Sequence, residues 1–548
     1  MKVSGAKIVV DTLIEQGVDN LFGYPGGAIL DIYDELYKSQ DKIRHILSVD
    51  ERGAIHSADG YARATGRVGV VLATSGPGAT NLVTGIATAN LDSVPIVAIT
   101  GNVKSELIGS DSFQEVDIAG IVMPITKYSF FVKDIEKLYD TLRDAFRIAM
   151  SGRPGVVLVD ITKDVLSNFV DIEYKGVVQK DENPKIDYKG ISRLIEDIES
   201  SVRPIVVYGG GVNNSNAGDK LLKFCQNFDI PFCNTMMGIG QISMDNELNL
   251  GLCGMNGKYS SNKAISKADF IIAIGTRFSD RVATDNTIFS QDAKIVHIDI
   301  DSSEIDKNVY SQYGIVGDIG EVLDIVNNKT PKKIFHKEWL KQIKAYRQKD
   351  ILPINCSNYI TPYHIVNTIN DKLQGGIIVT DVGQHQVWTA QYSKKLTNRS
   401  FISSGGLGTM GFGVGASIGA CFACPNKRVV LCTGDGSFYM NALELITAVK
   451  HNLNLVVVIF NNKSLGMVRQ MQEVMYDKRY YMTDLVAKTD YVMLARAIGA
   501  NGEEINTIDE FNVALDRAFD RGGVYILDCK ISIDEKVIPT QINRSNDK

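Results

Sequence analysis

The stretch LCTGDGSFYMNALELITAVKHNLNLVVVIFNN, residues 431–462, decides the fold. Short apolar runs begin and end it, and apolar residues between them recur at helical spacing, so it predicts strand, glycine turn, helix and parallel strand. The turn contains Asp435. A carboxylate there would repel a phosphate brought to the start of the helix, unless a cation lies between the two.

A second polar residue supports a cation at this turn. In a parallel strand-helix-strand unit the carboxyl ends of both strands open at one edge of the sheet. Asp435 follows the first strand and Asn462 the second, so their side chains can converge on one ion. Carboxylate, amide and carbonyl oxygens suit Mg²⁺, and the glycines let a diphosphate approach. Either half alone would indicate only a helix cap or a turn.

The bulk composition is that of an ordinary globular protein with several domains. The chain has 548 residues, 44% of them hydrophobic and 22% charged, with a net charge of −6. That length predicts about three domains of roughly 100 to 200 residues. The charges are mixed along the chain, which disfavours nucleic acid as a partner, and no apolar run reaches the ~18 residues of a membrane span. We expect a cytoplasmic protein without nucleic-acid or membrane partners.

The remaining apolar runs, such as VGVVLATS, VPIVAIT, RPIVVYGG, FIIAIGT and KIVHIDID, are short and nearly continuous. Such runs are typical of parallel strands buried on both faces, so the class is α/β with doubly wound parallel sheets. Two polar breaks divide the chain into domains at 1–167, 189–328 and 357–535. Residues 70–102 repeat the plan of residues 429–462, with a turn SGPG that lacks the acid, so the first and third domains are predicted to share a fold.

Several long motifs in a fixed order resemble one family. They are FGYPGGAI, DGYARATG, ATSGPGATNL, IGSDSFQE, SGRPGVVLVD, GTRFSDR, DVGQHQ, GGLGTMGFG, GDGSFYMNALEL and SLGMVRQ. Together with GDG followed by NN, they resemble the thiamine diphosphate (ThDP) enzymes, and most closely the acetolactate synthase (acetohydroxyacid synthase) catalytic subunits. The resemblance implies a pyrimidine-binding domain, a central Rossmann-like domain associated with FAD, and a domain that binds diphosphate and Mg²⁺.

The resemblance also implies an activity and an assembly. The enzyme would decarboxylate pyruvate on ThDP and ligate the hydroxyethyl unit to a second 2-keto acid, pyruvate or 2-ketobutyrate, giving 2-acetolactate in branched-chain amino acid biosynthesis. Active sites would be shared between chains of a homodimer or homotetramer, with a small regulatory subunit as a further candidate partner. Another ThDP-dependent decarboxylase, oxidase or carboligase stays open as the alternative. A nicotinamide-dependent dehydrogenase is disfavoured because RPIVVYGGGVNN lacks the GxGxxG spacing.

The family pattern implies specific roles at the cofactor. Glu51 would hydrogen-bond N1′ of the aminopyrimidine, although Asp50 and Arg52 stand where the family usually has His and Gln beside this acid. Gly408 would offer a backbone carbonyl to the 4′-amino group, and Met410 would bend the cofactor. A methionine in an apolar run is otherwise more often core packing. The other implied ThDP positions are Gln384, His385, Gly436, Ser437 and Met467, and the Mg²⁺ positions are Asp435, Asn462 and Ser464.

Substrate handling maps onto residues of all three domains. The resemblance implies Phe113, Gln114, Lys163 and Arg281, and a fixed guanidinium suits the carboxylate of a 2-keto acid. Met471 stands where the family has a Trp that favours 2-ketobutyrate, so the sequence predicts a weaker preference for that acceptor.

FAD is implied as a structural cofactor of the central domain. One position departs from the family, because Asn256 replaces a common His. The implied FAD positions are Arg153, Gly210, Gly211, Met255, Arg277, Asp299 and Asp318.

Overall fold

Three six-stranded parallel sheets organise the chain, and the apolar runs singled out in the sequence form their strands. The computed structural model describes residues 2–283, 289, 292–329, 336–350, 360–394, 396–485 and 489–538. The predicted domain starts at residues 1 and 357 therefore lie outside the described residues. The three-domain α/β class predicted from the sequence is confirmed.

The first sheet uses strands from the first third of the chain. The elements in chain order are β1 (Lys2–Ser4), α1 (Gly5–Glu15), β2 (Asn20–Gly23), α2 (Leu30–Lys38), β3 (Arg44–Leu47), α3 (Glu51–Thr65), β4 (Gly69–Ala73), α4 (Pro77–Asn81), α5 (Val83–Leu91), β5 (Ile96–Asn102), α6 (Ile118–Val122), β6 (Tyr128–Val132), α7 (Ile135–Met150), β7 (Val156–Thr162), α8 (Lys163–Ser167) and β8 (Phe169–Asp171). The sheet order is β3-β2-β4-β5-β7-β6, with buried apolar clusters on both faces.

The central sheet follows, and a connecting helix closes it. Its elements are α9 (Tyr188–Ser200), β9 (Pro204–Tyr208), α10 (Gly210–Asn214), α11 (Gly218–Asn227), β10 (Phe232–Asn234), β11 (Asn249–Leu252), α12 (Tyr259–Lys267), β12 (Phe270–Ile274), β13 (Lys294–Asp299), β14 (Tyr313–Val316), α13 (Ile319–Asn327) and α14 (Lys337–Arg347). The order is β11-β10-β9-β12-β13-β14. The direction of winding reverses between β9 and β12, and ligands of such sheets bind in the crevice at that reversal.

The third sheet contains the stretch that decides the fold. Its elements are α15 (Pro362–Lys372), β15 (Ile377–Thr380), α16 (Gln384–Tyr392), β16 (Phe401–Ser403), α17 (Phe412–Ala423), β17 (Val429–Gly434), α18 (Asp435–Tyr439), α19 (Leu445–Lys450), β18 (Leu455–Asn461), α20 (Gly466–Met475), α21 (Tyr491–Ala497), β19 (Asn501–Ile505), α22 (Ile508–Arg521) and β20 (Val524–Lys530). The order is β16-β15-β17-β18-β20-β19. The helix of the GDG turn begins at Asp435 itself.

The first and third domains share one topology. When the six strands are numbered from β2 in the first domain and from β15 in the third, both sheets have the order 2-1-3-4-6-5. The repeat predicted from residues 70–102 and 429–462 therefore extends over both domains. Helices α3 and α17 are equivalent in this comparison, since each follows the second strand of its sheet.

The two equivalent helices pack against each other with their backbones in close contact. A β-carbon added to Gly60 would overlap the carbonyl of Ala416, and one added to Gly419 would overlap the carbonyl of Ser57. Gly53, in the first turn of α3, likewise leaves no room beside Glu444. Glycine is needed here because any side chain would separate the two helices.

The start of the chain forms a short strand followed by a helix. The sequence predicts a helix at the start of the chain, and α1 confirms it, but the short strand β1 precedes it and pairs antiparallel with β8.

None of the helices within the described ranges is both long and apolar enough to span a membrane.

The helix contact makes a stability prediction. Gly419→Ala should lower the midpoint of thermal unfolding, because forcing a methyl group against the Ser57 carbonyl costs about 1 to 3 kcal/mol. That cost exceeds the roughly 1 kcal/mol by which alanine favours a helix over glycine. Circular dichroism on heating measures the midpoint. Gly27→Ala is the matched control, since no atom lies within 4 Å of its added β-carbon. Equal midpoints for the two variants would contradict the prediction.

Candidate functional site

The GDG turn and the NN pair lie side by side at the carboxyl edge of the third sheet. β17 and β18 are parallel neighbours, with Gly434 opposite Phe460, so each motif continues directly from its strand. The carboxylate of Asp435 joins them, because Oδ2 accepts from the backbone N–H of Lys463 at 2.6 Å. Its Oδ1 accepts from the N–H of Gly436 at 2.9 Å. The structure thus brings together the residues that the sequence predicts as metal ligands.

Asp435, Asn462 and Ser464 are buried and aim oxygens at this edge. Burial raises the pKa of Asp435 to about 6, against the effect of its two backbone hydrogen bonds. Asn462 Oδ1 accepts from the N–H of Ser464 at 3.1 Å. The Ser464 carbonyl accepts from Gly466 at 2.8 Å, and a carbonyl oxygen has a second lone pair. A divalent cation would supply the positive charge that this buried carboxylate lacks.

This arrangement fits Mg²⁺ better than it fits a transition metal. In the described part of the chain no three His, Cys, Asp or Glu side chains are placed to hold a metal ion. A cation at the edge would therefore rely on one carboxylate and on neutral amide and carbonyl oxygens. That hard, sparse set is typical of Mg²⁺ that keeps water and phosphate oxygens as its other ligands.

The start of α16 adds two polar side chains to the same edge. Gln384 Oε1 accepts from Asn462 Nδ2 at 3.3 Å. His385 is buried beside the GDG turn, where an added β-carbon on Gly434 would lie 2.7 Å from its Nδ1. Burial lowers the pKa of His385 to about 3, so the ring is neutral. Its Nε2 is buried with no hydrogen-bond partner among the described residues, as expected of a group that meets a bound ligand or water.

Glycines shape the edge into a cradle. A β-carbon on Gly466 would overlap Gln384 Oε1, and one on Gly436 would lie 2.7 Å from Leu465. Ser437, in α18, donates its hydroxyl to the carbonyl of Val382 at 2.7 Å. Met467, in α20, packs half-buried against the apolar core of the domain. The predicted diphosphate positions therefore belong to one continuous surface.

The segment 404–413 runs from the end of β16 into the first turn of α17, and it borders this cradle. Gly408 has φ of +70°, which glycine adopts readily, and the Met410 side chain reaches within 3.9 Å of a β-carbon added at Gly436. The carboxylate of Asp381, fully buried, accepts from the N–H groups of Gly411 at 2.9 Å and Gly413 at 3.0 Å. Met410 is thus held beside the predicted metal site.

Glu51 lies in the first domain, at the first residue of α3. Its N-cap is Asp50, which accepts from the N–H of Arg52 at 2.8 Å. Glu51 is buried, and its Oε2 accepts from Asn81 Nδ2 at 3.0 Å. A β-carbon on Gly78 would lie 3.0 Å from its Oε1. The acid therefore faces the SGPG turn, the counterpart of the GDG turn.

The predicted substrate residues are more dispersed. Gln114 lies against the SGPG turn with φ of +62°, whereas the neighbouring Phe113 is 87% exposed. Lys163, at the start of α8, and Arg281, in the central domain, are exposed. Met471 lies half-exposed on α20. Within the described ranges the hydrogen bonds of Glu51 and those of the Asp435 cluster are made to different partners.

The predicted FAD residues lie at the crevice of the central sheet. Gly210 and Gly211 follow β9, and Gly211 donates its N–H to the carbonyl of Gly275, after β12, at 3.0 Å. A β-carbon on Gly211 would lie 2.7 Å from Gly275 Cα. Nearby, the N–H of Met255 bonds the carbonyl of Arg281 at 2.8 Å. Because Gly210 and Gly211 have no side chains, they do not fill the crevice where the direction of winding reverses.

The charged residues of this crevice are partly engaged with each other. Arg153 pairs with Glu304 at 2.5 Å and with Asp301 at 3.5 Å. Asp318 caps α13, whereas burial raises the pKa of Asp299 to about 6. Glu304 Oε2 is buried without a hydrogen-bond partner among the described residues. Buried acceptors of this kind suit the hydroxyl groups of a dinucleotide, so the crevice fits FAD.

The sequence did not predict four of the residues that shape these sites. Asn81 bonds Glu51, Asp381 holds the segment 404–413, Glu304 is a second acid of the crevice, and Asp92 bonds Gly405 and Gly406. Asn81 lies within a glycine motif and Asp381 directly after a strand, whereas Asp92, after helix α5, and Glu304, five residues beyond β13, have no such signal.

Profiles of known families match all three domains. The matches are "Thiamine pyrophosphate enzyme, N-terminal TPP binding domain" at residues 3–121, the central domain of the same enzymes at 191–326, and their "C-terminal TPP binding domain" at 381–529. The fold and site thus define a thiamine pyrophosphate (thiamine diphosphate) enzyme.

Comparison with individual proteins shows which thiamine pyrophosphate enzymes this chain is similar to. The chain is 43% identical to a probable acetolactate synthase large subunit of Methanocaldococcus jannaschii over 96% of this chain and 92% of that protein. It is 42% identical to an acetolactate synthase large subunit of Cyanidium caldarium, over 98% and 94%. It is 40% identical to the acetolactate synthase isozyme 3 large subunit of Escherichia coli, over 98% and 97%. The chain belongs to the family of acetolactate synthase large subunits.

The metal cluster makes a binding prediction. Asp435→Asn should weaken ThDP binding in the presence of Mg²⁺ by at least about tenfold, because the amide keeps the shape but loses the charge that holds a cation. Tryptophan fluorescence follows the titration, with Trp388 on α16 and Trp339 on α14 as the two emitters. Asp534→Asn, an exposed aspartate of the same domain, is the control. Unchanged affinity in Asp435→Asn would refute the assignment.

Proposed function

We propose that this chain is the catalytic subunit of a ThDP- and Mg²⁺-dependent acetolactate synthase. It decarboxylates pyruvate and transfers the remaining two-carbon unit to a second 2-keto acid, pyruvate or 2-ketobutyrate. With pyruvate the product is 2-acetolactate, a precursor in branched-chain amino acid biosynthesis. The observation that carries the proposal is the convergence of Asp435, Asn462 and the unpartnered Nε2 of His385 at one edge of the third domain.

The third domain holds the cofactor. Asp435, Asn462 and the carbonyl of Ser464 bind Mg²⁺, and His385 Nε2 meets the diphosphate. Bound ThDP supplies a ring carbon that adds to the keto carbon of pyruvate and takes up the electron pair released with CO₂. The Met410 side chain, beside the metal cluster, would support the bound cofactor, and the Gly408 carbonyl would accept from its amino group.

Glu51 performs the proton chemistry. Its carboxyl group would hydrogen-bond N1′ of the aminopyrimidine and hold a proton there, which would allow the neighbouring amino group to act as a base. Asn81 fixes Oε2, and Gly78 leaves Oε1 open on the side of the SGPG turn. This buried position excludes water from the proton that moves.

The acceptor is recognised by its carboxylate. Lys163 and Arg281 are the cations proposed for it, and the contact between Arg281 and Asp280 at 3.6 Å is an exposed pair that costs little to replace. Phe113 and Gln114 close the pocket from the first domain. Met471 contacts the variable end of the acceptor.

FAD is proposed as a structural cofactor of the central crevice. Arg153, Gly210, Gly211, Met255 and Arg277 line it, and the buried oxygens of Asp299 and Glu304 accept from its hydroxyl groups. The support is the glycine contact at the winding reversal and the unpartnered oxygen of Glu304.

The assembly is proposed from the family to which the chain belongs. We propose a homodimer or homotetramer in which each site takes Glu51 from one chain and the Asp435 cluster from its partner, as in that family. The relatives are named large subunits, which supports a small regulatory subunit as a partner. We propose domains at 1–167, 189–328 and 357–535 and a cytoplasmic location.

An acetolactate assay tests the function directly. With pyruvate, ThDP, Mg²⁺ and FAD present, the protein should form acetolactate, and Glu51→Gln should lower the rate on the order of 10²- to 10⁴-fold, the usual contribution of acid-base catalysis. Glu136→Gln, an exposed acid of the same domain, should keep the rate. Omitting each cofactor in turn shows which are needed.

The same assay separates the proposal from its alternative. Oxygen consumption or free acetaldehyde in place of acetolactate would indicate a pyruvate oxidase or decarboxylase. Full activity in Glu51→Gln would overturn the proton chemistry.

Met471 makes a specificity prediction. With equimolar pyruvate and 2-ketobutyrate, the protein should form only a modest excess of acetohydroxybutyrate, because a flexible thioether discriminates one methylene poorly. Met471→Trp should raise the ratio by up to the roughly 10- to 200-fold that one methylene allows. Product ratios by mass spectrometry measure it. Met475→Trp, exposed at the end of the same helix, is the control. A strong excess of acetohydroxybutyrate from the unaltered protein would contradict the prediction.

A further inference from the structure

The C-terminal tip of α5 is a junction of all three domains. Arg277, of the central domain, donates to the carbonyl of Leu91 at 2.6 Å. Arg153 Nε donates to the hydroxyl of Ser93 at 2.8 Å. Between these two lies Asp92, whose side chain is fully buried and reaches into the third domain.

Asp92 binds two consecutive backbone groups of the segment 404–413. Its Oδ1 accepts from the N–H of Gly406 at 2.7 Å, and its Oδ2 accepts from the N–H of Gly405 at 3.1 Å. Arg63 Nη2, on α3, donates to the same Oδ2 at 2.9 Å. One carboxylate of the first domain thus fixes the start of a glycine-rich segment of the third.

The rest of the segment is held at two more points. Thr409, in its middle, bonds through its hydroxyl to Thr88, on α5, at 2.7 Å, and its N–H donates to Ser404 Oγ at 3.1 Å. Asp381 holds the far end at Gly411 and Gly413. Without such contacts a glycine-rich segment populates many conformations, and ordering it on binding would cost free energy.

Arg63 has a second carboxylate partner, which has no hydrogen bond to the segment among the described residues. Asp59, one turn earlier on α3, accepts from Arg63 Nε and Nη2, and it is fully buried. Arg63 also donates to the carbonyl of Ser403 at 3.0 Å. The buried cluster therefore offers two aspartates in one electrostatic environment, and only Asp92 of the two bonds the glycine backbone.

We propose that Asp92 is a positioning residue for ThDP: it fixes Gly405 and Gly406 so that the segment presents Gly408 and Met410 in one conformation before the cofactor binds. The proposal rests on the proposed function for the roles of Gly408 and Met410. It assigns part of the cofactor affinity to the first domain of the same chain, although the acid Glu51 of that domain is proposed to act in the other active site of the pair of chains.

Asp92→Asn and Asp59→Asn form the matched pair that tests it. In Asp92→Asn one amide N–H of the segment faces an NH₂ group or loses its acceptor. ThDP affinity, measured by tryptophan fluorescence at fixed Mg²⁺, should fall by about tenfold or more, whereas Asp59→Asn should stay within about threefold of the unaltered protein. Hydrogen exchange of peptides that cover residues 404–413 should quicken in Asp92→Asn alone, in the absence of cofactor.

Two results would overturn the proposal. One is unchanged affinity and exchange in Asp92→Asn, and the other is an equal loss in both variants, which would mean that the buried cluster matters only for folding. If Asp92→Asn does not fold, Thr88→Val removes the bond to Thr409, together with the bond of the same hydroxyl to the Thr84 carbonyl within α5. Faster exchange at residues 404–413 in that variant would support the proposal, and unchanged exchange would overturn it.

These readouts are independent of the product. Binding and exchange report on the segment whether or not pyruvate becomes acetolactate. A protein whose affinity for ThDP depends on Asp92 but which forms no acetolactate would refute the proposed function and leave the positioning role of Asp92 intact.

Discussion

The backbone contact between α3 and α17 is the constraint on which the rest of the structure depends. Gly60 and Gly419 allow each helix to lie against a carbonyl of the other, so the distance between the first and third domains is set by main-chain atoms. Glu51 begins α3, and the segment that carries Met410 leads directly into α17. Both elements of the proposed chemistry are therefore attached to the ends of one rigid helix pair.

The shared topology of the first and third domains explains how the chemistry is divided. At equivalent turns, one domain has SGPG without an acid and the other has GDG with Asp435. The edge that contains Asp435 suits a cation, whereas the turn without an acid is faced by Glu51 from the start of α3. Two copies of one fold thus differ in where the acid stands, within the turn in the third domain and on the neighbouring helix in the first, and the central domain adds a third crevice of the dinucleotide type.

Some of these features can be predicted from the sequence and others cannot, and the difference has physical reasons. Parallel strands buried on both faces leave an apolar run that can be recognised locally, and Asp435 and Asn462 follow such runs directly. β1 was missed because a strand as short as Lys2–Ser4 is specified by its distant partner β8. Asp92 and Asp381 could not be predicted, since their roles depend on glycine N–H groups that only the fold brings near. Met410 was assigned by resemblance alone, and the structure adds its place beside the GDG turn.

The α3–α17 contact also orders events during synthesis. α3 leaves the ribosome long before α17 has been translated, by roughly 20 to 70 s at ordinary elongation rates of 5 to 20 residues per second. Throughout that interval the face of α3 that carries Gly53 and Gly60 has no partner helix. The sheet of the first domain is complete, but this face of the domain is uncovered. The nascent chain therefore carries an exposed surface until its last third emerges. A chain terminated before α17 would keep that surface permanently, which makes it a substrate for chaperones and proteases rather than a stable fragment.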